Sequence, residues 1–221
     1  MEEQFGVAAA SKAQALADAI NRLLDALVDR CAKGEEILDR YFIGVLGYGG
    51  DVRWALGGAL QGWDLAPVSE IGRNPLRIET RVKREYDGAG GLIEAHVDFP
   101  IWFEAQAAGG TPMGEALRVA RDTVARFLSE HPACFPPIVI NITDGEATDA
   151  TDRELEQAAN ELRGLRSQDG NVLLFNAHIS STSAHPILFP TSEQGLPDPY
   201  ARLLFRMSSP LPPSMLQEAR I

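Results

Sequence analysis

A chain of 221 residues, 45% of them hydrophobic and 23% charged, has the composition of a globular protein with a sizeable core. Its net charge of −11 argues against a nucleic-acid surface or an anionic membrane as partner, because both require clustered lysine and arginine. No apolar run is long enough to span a membrane, and the acidic N-terminus is unlike a signal peptide. The two cysteines, Cys31 and Cys134, form no CxxC pattern, which favours reduced thiols and a cytoplasmic location.

Before residue 111 the sequence predicts a helix, a hairpin and an insertion. Apolar residues recur at three- and four-residue steps over 7–28, which is typical of an amphipathic helix. Two apolar runs, 41–46 and 52–56, are separated by a glycine-rich turn at 47–50 and predict a hairpin. Proline and glycine interrupt residues 62–108 repeatedly, so we expect a loop-rich insertion with one extended hairpin there.

From Thr111 onwards the pattern is that of alternating helices and strands. The sequence predicts a helix over 113–128, a strand over 138–143, a helix opened by the capping box of Thr151 and Glu154, a strand over 171–179, and tail helices at 199–207 and from 212. Apolar strands without strict alternation favour a parallel sheet covered on both faces. We therefore expect one α/β domain, residues 1–221, with a doubly wound, mostly parallel sheet and helices on both faces.

Two oxygen-bearing side chains stand at points where such sheets carry sites. Asp144 follows the predicted strand 138–143, and Thr111 precedes the predicted helix at 113. Ligands of open α/β sheets bind beyond the carboxyl ends of the strands. A hydroxyl and a carboxylate there suit Mg²⁺, so we expect the two groups within about 8 Å of each other. The alternatives are a helix N-cap for Thr111, with Pro112 at the first helical position, and a turn residue for Asp144.

The stretch GGTPMGEAL, followed later by VINITDGEATD, resembles the second and third motifs of the von Willebrand factor type A (VWA) domain, in its cytosolic bacterial form. The resemblance implies a metal-ion-dependent adhesion site, with Thr111 and Asp144 as ligands of Mg²⁺ or Mn²⁺. It also implies a protein partner whose carboxylate completes the coordination of the ion, and no membrane or nucleic-acid partner.

One departure from the VWA pattern concerns the first motif, Asp-x-Ser-x-Ser, which is absent together with the first central strand that carries it. The expectation from this absence is a truncated domain whose first helix follows almost directly after the missing motif. Thr111 and Asp144 are two of the five side chains that the family's site uses, so we expect metal binding to be weak or lost.

Two alternatives to a protein-binding module remain open. Glu146 and Asp149 lie close to Asp144 in sequence and are compatible with a metal-dependent phosphohydrolase, although solvated loop acids explain them as well. A truncated VWA remnant without function is the other alternative. The chain has no HExxH zinc motif and no GxSxG nucleophile elbow, and the favoured interpretation is that it is not an enzyme.

Overall fold

The computed structural model describes residues 12–86, 92–106, 109–144, 146–179 and 186–218. The chain divides into two compact units, one of residues 1–49 and 53–109, the other of residues 50–52 and 110–221. The single-domain interpretation made from the sequence stays a prediction. Residues 7–11 of the expected first helix lie outside the described residues.

Before Gly109, the described residues form two helices and a series of mostly short strands. In chain order the elements are α1 (Lys12–Cys31), β1 (Ala32–Lys33), β2 (Glu36–Ile37), β3 (Phe42–Ile43), β4 (Leu46–Gly49), β5 (Asp51–Trp54), a 3-10 turn (Gly58–Leu60), β6 (Ala66–Pro67), α2 (Val68–Arg73), β7 (Arg77–Tyr86) and β8 (Leu92–Ile101). The long β7–β8 pair is the extended hairpin expected within 62–108.

The core of the first unit is built around Trp102, which is 2% exposed. Its indole Nε1 donates a hydrogen bond of 2.7 Å to the carbonyl oxygen of Ile71 in α2. The buried side chain of Asn21 in α1 accepts from the backbone N–H of Trp102 and donates to the carbonyl of Phe103. Because a buried polar group is costly only when unpaired, Asn21 can fix the segment after β8 against α1 inside an apolar core.

Arg81 attaches the β7–β8 hairpin to α1. Its guanidinium donates to both carboxylate oxygens of Asp18, at 2.8 and 3.1 Å. It also lies 3.7 Å from the ring centroid of Phe99 on β8, within the range of a cation–π interaction. A bidentate pair combined with ring stacking holds the planar guanidinium in one orientation.

The second unit contains, from Gly110 towards the C-terminal end, a series of helices and a parallel pair of strands. Its remaining elements are α3 (Met113–Glu130), β9 (Ile138–Thr143), α4 (Asp152–Gly164), β10 (Leu173–His178), α5 (Pro199–Met207) and α6 (Pro213–Glu218). β9 and β10 pair in register from Ile138 opposite Leu173 to Thr143 opposite His178, with α4 as the crossover. The predicted bounds of β9 and the capping box at the start of α4 are confirmed.

The two faces of the β9–β10 sheet differ in exposure. Leu174 is fully buried and Thr143 is 3% exposed on one face, and α4 and α5 both pack against β10. On the opposite face Ile138 is 45% exposed and Ile140 is 54% exposed. The pair of strands is therefore covered on one face, and the other face presents branched apolar side chains.

The expected doubly wound, mostly parallel sheet is wrong. In the described residues the strands form five separate two-stranded sheets, of which β9–β10 is the parallel one. The pairs β1–β2, β3–β6 and β7–β8 are antiparallel, and β4 pairs with β5. The exposed face of β9–β10 also contradicts the expectation of helices on both faces of the sheet.

Local geometry explains why the apolar run 41–46 does not form one long strand. A side chain at Gly44 would place its Cβ 2.2 Å from the carbonyl oxygen of Asp64. The close approach separates β3 from β4, and β3 turns to pair with β6. A doubly wound sheet needs long strands joined by successive helical crossovers. In the described residues, β9–β10 is the pair joined by a helical crossover, and β3 and β6 are separated by β4, β5 and a 3-10 turn.

A pair of asparagines connects the two parallel strands through their side chains. Asn141 on β9 donates a hydrogen bond of 2.8 Å from Nδ2 to Oδ1 of Asn176 on β10. The Nδ2 of Asn176 in turn donates to the carbonyl of Leu204 and to Oγ of Ser208, both near the end of α5. The two amides thus tie the covered face of the sheet to α5.

No helix in the described part of the chain combines the length and apolar character required to cross a lipid bilayer. Both cysteines are free thiols, with Cys31 buried and Cys134 half-buried. Burial is the main cause that raises the pKa of the Cys134 thiol.

Candidate functional site at the ends of β9 and α3

The two sequence motifs form two loops that are hydrogen-bonded to each other. The backbone N–H of Thr111 donates to Oγ1 of Thr148 at 2.9 Å, and the backbone N–H of Thr148 donates to the carbonyl of Thr111 at 3.0 Å. A Cβ at Gly110 would lie 2.6 Å from the same Thr148 oxygen, so glycine permits this approach. The loop before α3 and the loop after β9 are therefore in direct contact.

Asp149 extends this contact into the helix. Its two carboxylate oxygens accept hydrogen bonds from the backbone N–H groups of Gly114, at 3.1 Å, and Glu115, at 2.8 Å. These amides belong to the first turn of α3, where no partner exists within the helix itself. A carboxylate also interacts favourably with the positive end of the helix dipole. Asp149 thus caps α3 from another segment of the chain.

This geometry corrects the N-cap interpretation of Thr111. The helix begins at Met113, Pro112 occupies the N-cap position, and the cap has no side-chain hydrogen bond of its own. The hydroxyl of Thr111 is not used by the helix, because Asp149 satisfies the amides that an N-cap side chain would bind.

The predicted site residues stand at the edge formed by these two loops. Asp144 directly follows β9 and is half-buried, and Thr111, also half-buried, is separated from α3 by Pro112. Neither the Thr111 hydroxyl nor the Asp144 carboxylate makes a hydrogen bond with another part of the chain that the structure describes. The expected separation of about 8 Å between the two groups stays a prediction.

The neighbouring acid Glu146 has a partner on α5. The hydroxyl of Tyr200 donates a hydrogen bond of 2.7 Å to Oε2 of Glu146. This bond is the main cause that raises the pKa of Tyr200 above its ordinary value, with the charges of Asp152 and Asp198 adding to it. The phenol is consequently a donor at neutral pH, and Glu146 is held against α5.

The side-chain oxygens of Thr111 and Asp144 are of the type that binds a hard cation, but two ligands are too few for a complete site. Hydroxyl and carboxylate oxygens are the ligands that Mg²⁺ and Mn²⁺ prefer. Two such side chains leave most of the coordination sphere to water. The described ranges also contain no group of three or more His, Cys, Asp or Glu placed to hold a metal ion. A metal held here by Thr111 and Asp144 would therefore be bound weakly.

No family model, curated protein or solved structure matches this chain. The resemblance to VWA domains accordingly rests on the two sequence motifs.

Sequence reasoning did not identify Thr148 and Tyr200, and it gave Asp149 no structural role. Tyr200 is 54 residues from Glu146, and Asp149 is 35 residues from Gly114, so no local pattern connects either pair. The paired glycines before Thr111 were the one local signal of these contacts. They indicate that another segment approaches closely, but they do not identify that segment.

Proposed function

We propose that this chain is a cytoplasmic, non-enzymatic protein-binding module whose binding edge is formed by residues 110–115, at the start of α3, and by Asp144 and residues 146–151, after β9. The proposal rests on a contrast between two groups of side chains at this edge: those that hold the structure together and those that do not. Thr148 and Asp149 are engaged in holding the loops together, and Glu146 is bonded to Tyr200. Thr111 and Asp144, the two residues that the VWA resemblance designates as ligands, have side chains that none of these bonds uses.

A divalent cation is the second element of the proposal. Thr111 and Asp144 would hold Mg²⁺ or Mn²⁺ weakly, and the bound ion supplies an open coordination position for a carboxylate of the partner protein. The chain's own contribution is to fix the two oxygens on loops braced by Thr148 and Asp149. Binding of ion and partner are then linked, so that each strengthens the other.

The first experiment measures Mn²⁺ binding by water-proton relaxation. We expect weak, saturable enhancement that is reduced in Asp144→Asn and in Thr111→Ala. The control Asp122→Asn changes an exposed acid on α3 that is bonded to Arg121, and it is expected to bind Mn²⁺ as the wild type does. Equal binding by Asp144→Asn and the wild type would contradict the metal part of the proposal.

A second measurement tests the carboxylate. Acetate added to the Mn²⁺-loaded protein is expected to lower the relaxation enhancement, because the carboxylate displaces water from the ion. Methanesulfonate, an anion that coordinates metals weakly, is added at the same ionic strength as a control for the effect of salt. If the two anions act alike, a partner carboxylate does not complete the site.

The phosphohydrolase alternative is tested by turnover. Catalysis by acid and base needs carboxylates that are free to take and give protons. Both oxygens of Asp149 accept backbone hydrogen bonds, which counts against that role, and Glu146 is bonded to Tyr200 through one of its oxygens. We expect no hydrolysis of p-nitrophenyl phosphate with Mg²⁺ or Mn²⁺. Hydrolysis that disappears in Asp144→Asn would replace the binding module by an enzyme.

A further inference from the structure

A cavity of about 340 Å³ lies in the second unit, bordered by the loop after β9 and by the first turns of α4 and α5. Its volume is within the range of pockets that take small ligands or single side chains of a partner. The lining residues divide into an apolar floor and a polar mouth.

The floor is formed by side chains of three helices. Met113 at the start of α3 is 2% exposed, Leu155 on α4 is 1% exposed, and Leu204 on α5 is 4% exposed. These residues belong to the packed interior, so the floor keeps its shape without a ligand. It suits an aliphatic chain, because apolar surface that leaves water on binding contributes favourably.

The mouth carries two carboxylates and an aromatic hydroxyl. Glu146, Asp152 and Tyr200 line it, and no Lys, Arg or His is among the residues that surround this cavity. The Tyr200 hydroxyl occupies one oxygen of Glu146, which leaves the other oxygen available. Tyr200, which lines the cavity, is 37% exposed.

The starts of α4 and α5 also border the cavity, and helix starts carry positive partial charge. At both helix starts a carboxylate of the chain already lies against this positive partial charge. In α4 the capping box places the Glu154 carboxylate on the Thr151 backbone N–H at 2.8 Å. In α5 the Asp198 carboxylate accepts from the Ala201 backbone N–H at 2.7 Å. Each helix start therefore already has a carboxylate bound to it, and the residues that line the cavity add the carboxylates of Glu146 and Asp152.

We propose that this cavity receives an arginine side chain of a partner protein. The aliphatic stem of arginine would lie on the floor of Met113 and Leu204. Its guanidinium would pair with Glu146 and Asp152 and stack on the ring of Tyr200. Charge complementarity with a net charge of −11 favours a basic partner segment over an acidic or neutral one. The inference goes beyond the proposed function, because the pocket needs no metal ion.

The test follows the Met113 methyl group by NMR of protein labelled with [¹³C-methyl]methionine. The probe is N-acetyl-arginine N-methylamide, which has the arginine side chain without free terminal charges. We expect a saturable shift of the Met113 resonance, while Met207, which is fully buried and does not line the cavity, stays unchanged. The corresponding norleucine derivative, which has the stem without the charge, is expected to bind more weakly.

Two variants separate charge from shape. Glu146→Gln keeps an acceptor for Tyr200 but removes a carboxylate, and we expect binding about three- to fivefold weaker, as for an exposed ion pair. Asp169→Asn is the matched control, because it removes one exposed acid outside the cavity and should bind as the wild type does. Ala147→Leu fills the cavity without changing charge and should abolish the shift.

Several outcomes would overturn the proposal. They are an unmoved Met113 resonance, equal binding of the norleucine derivative, or undiminished binding by Glu146→Gln. Free arginine binding more tightly than the capped probe would indicate a small-molecule ligand and would also overturn it. In Asp144→Asn the probe is expected to bind as in the wild type, so loss of the metal site and loss of the arginine site can be told apart.

Discussion

At the residue scale, the carboxylate of Asp149 satisfies two backbone amides of α3 and thereby fixes the loop that carries Thr111. We expect Asp149→Ala to lower the free energy of unfolding by about 1 kcal/mol, the usual cost of losing a helix cap. Urea denaturation measures the change. Asp122→Ala removes an acid from the exposed face of the same helix and is expected to cost less, because its partner Arg121 also binds Glu161. Equal costs for both variants would contradict the capping role.

Asp18 gives a residue-scale prediction about pH. Burial raises the pKa of this carboxyl, but the hydrogen bonds from Arg81 and Gln14 and the charge of Arg81 together lower it below its ordinary value of 3.8. A carboxyl with a lowered pKa in the folded state stabilises the fold above its unfolded pKa. That stabilisation is lost as the pH falls through the folded pKa. The expected window of acid sensitivity is therefore below pH 3.8.

Arg81→Met tests this contribution. The variant should be less stable at neutral pH and should lose less further stability between about pH 6 and about pH 3, because Asp18 then titrates nearer its ordinary value. Urea midpoints at the two pH values measure the difference. Arg73→Met removes an exposed pair with Glu70 and the smallest of the influences on the lowered pKa of Asp39, so it should follow the wild-type pH dependence more closely. An unchanged acid dependence in Arg81→Met would show that Arg81 does not lower the pKa of Asp18.

At the element scale, the division between β3 and β4 depends on Gly44. We expect Gly44→Ala to destabilise the protein by about 1–3 kcal/mol, the range for overpacking, because its Cβ would collide with the carbonyl of Asp64. Gly164→Ala at the end of α4 is the matched control, since its Cβ would meet no atom within 4 Å. Alanine there should be neutral or stabilising by up to about 1 kcal/mol. A Gly44→Ala protein as stable as wild type would mean that the backbone shifts without cost.

Some elements of this fold can be predicted from the sequence, and others cannot. β9 and the capping box of Thr151 and Glu154 are read correctly because their signals lie within a few adjacent residues. The sheet is read wrongly because strand pairing joins distant segments, and neither the Gly44 contact nor the exposed Ile140 is encoded locally. The same holds for the site. The two motifs locate the loops in the sequence, but they do not show that Asp149 caps α3.

At the scale of the whole molecule, the net charge of −11 sets the response to salt. Excess negative charge destabilises a compact chain by self-repulsion, and salt screens it over about 10 Å at 0.1 M. We expect the urea midpoint at neutral pH to rise modestly between about 0.02 and 0.2 M NaCl. At a pH near the pI of 4.8 the rise should disappear. A midpoint that falls with salt at neutral pH would mean that ion pairs such as Arg206–Glu156 outweigh the repulsion.

The Asn141–Asn176 pair has a consequence for errors in assembly. A two-stranded parallel sheet can slide by two residues and keep the same faces inward, since side chains repeat with that period. In such a slipped pairing the amides would no longer face each other, and the buried Asn141 would lose its hydrogen bond to Asn176 at a cost of about 1–3 kcal/mol. Asn176 also holds the end of α5 through Leu204 and Ser208. One amide therefore takes part in both alignments: its oxygen is satisfied when β9 is in register, and its nitrogen is satisfied when α5 lies in place.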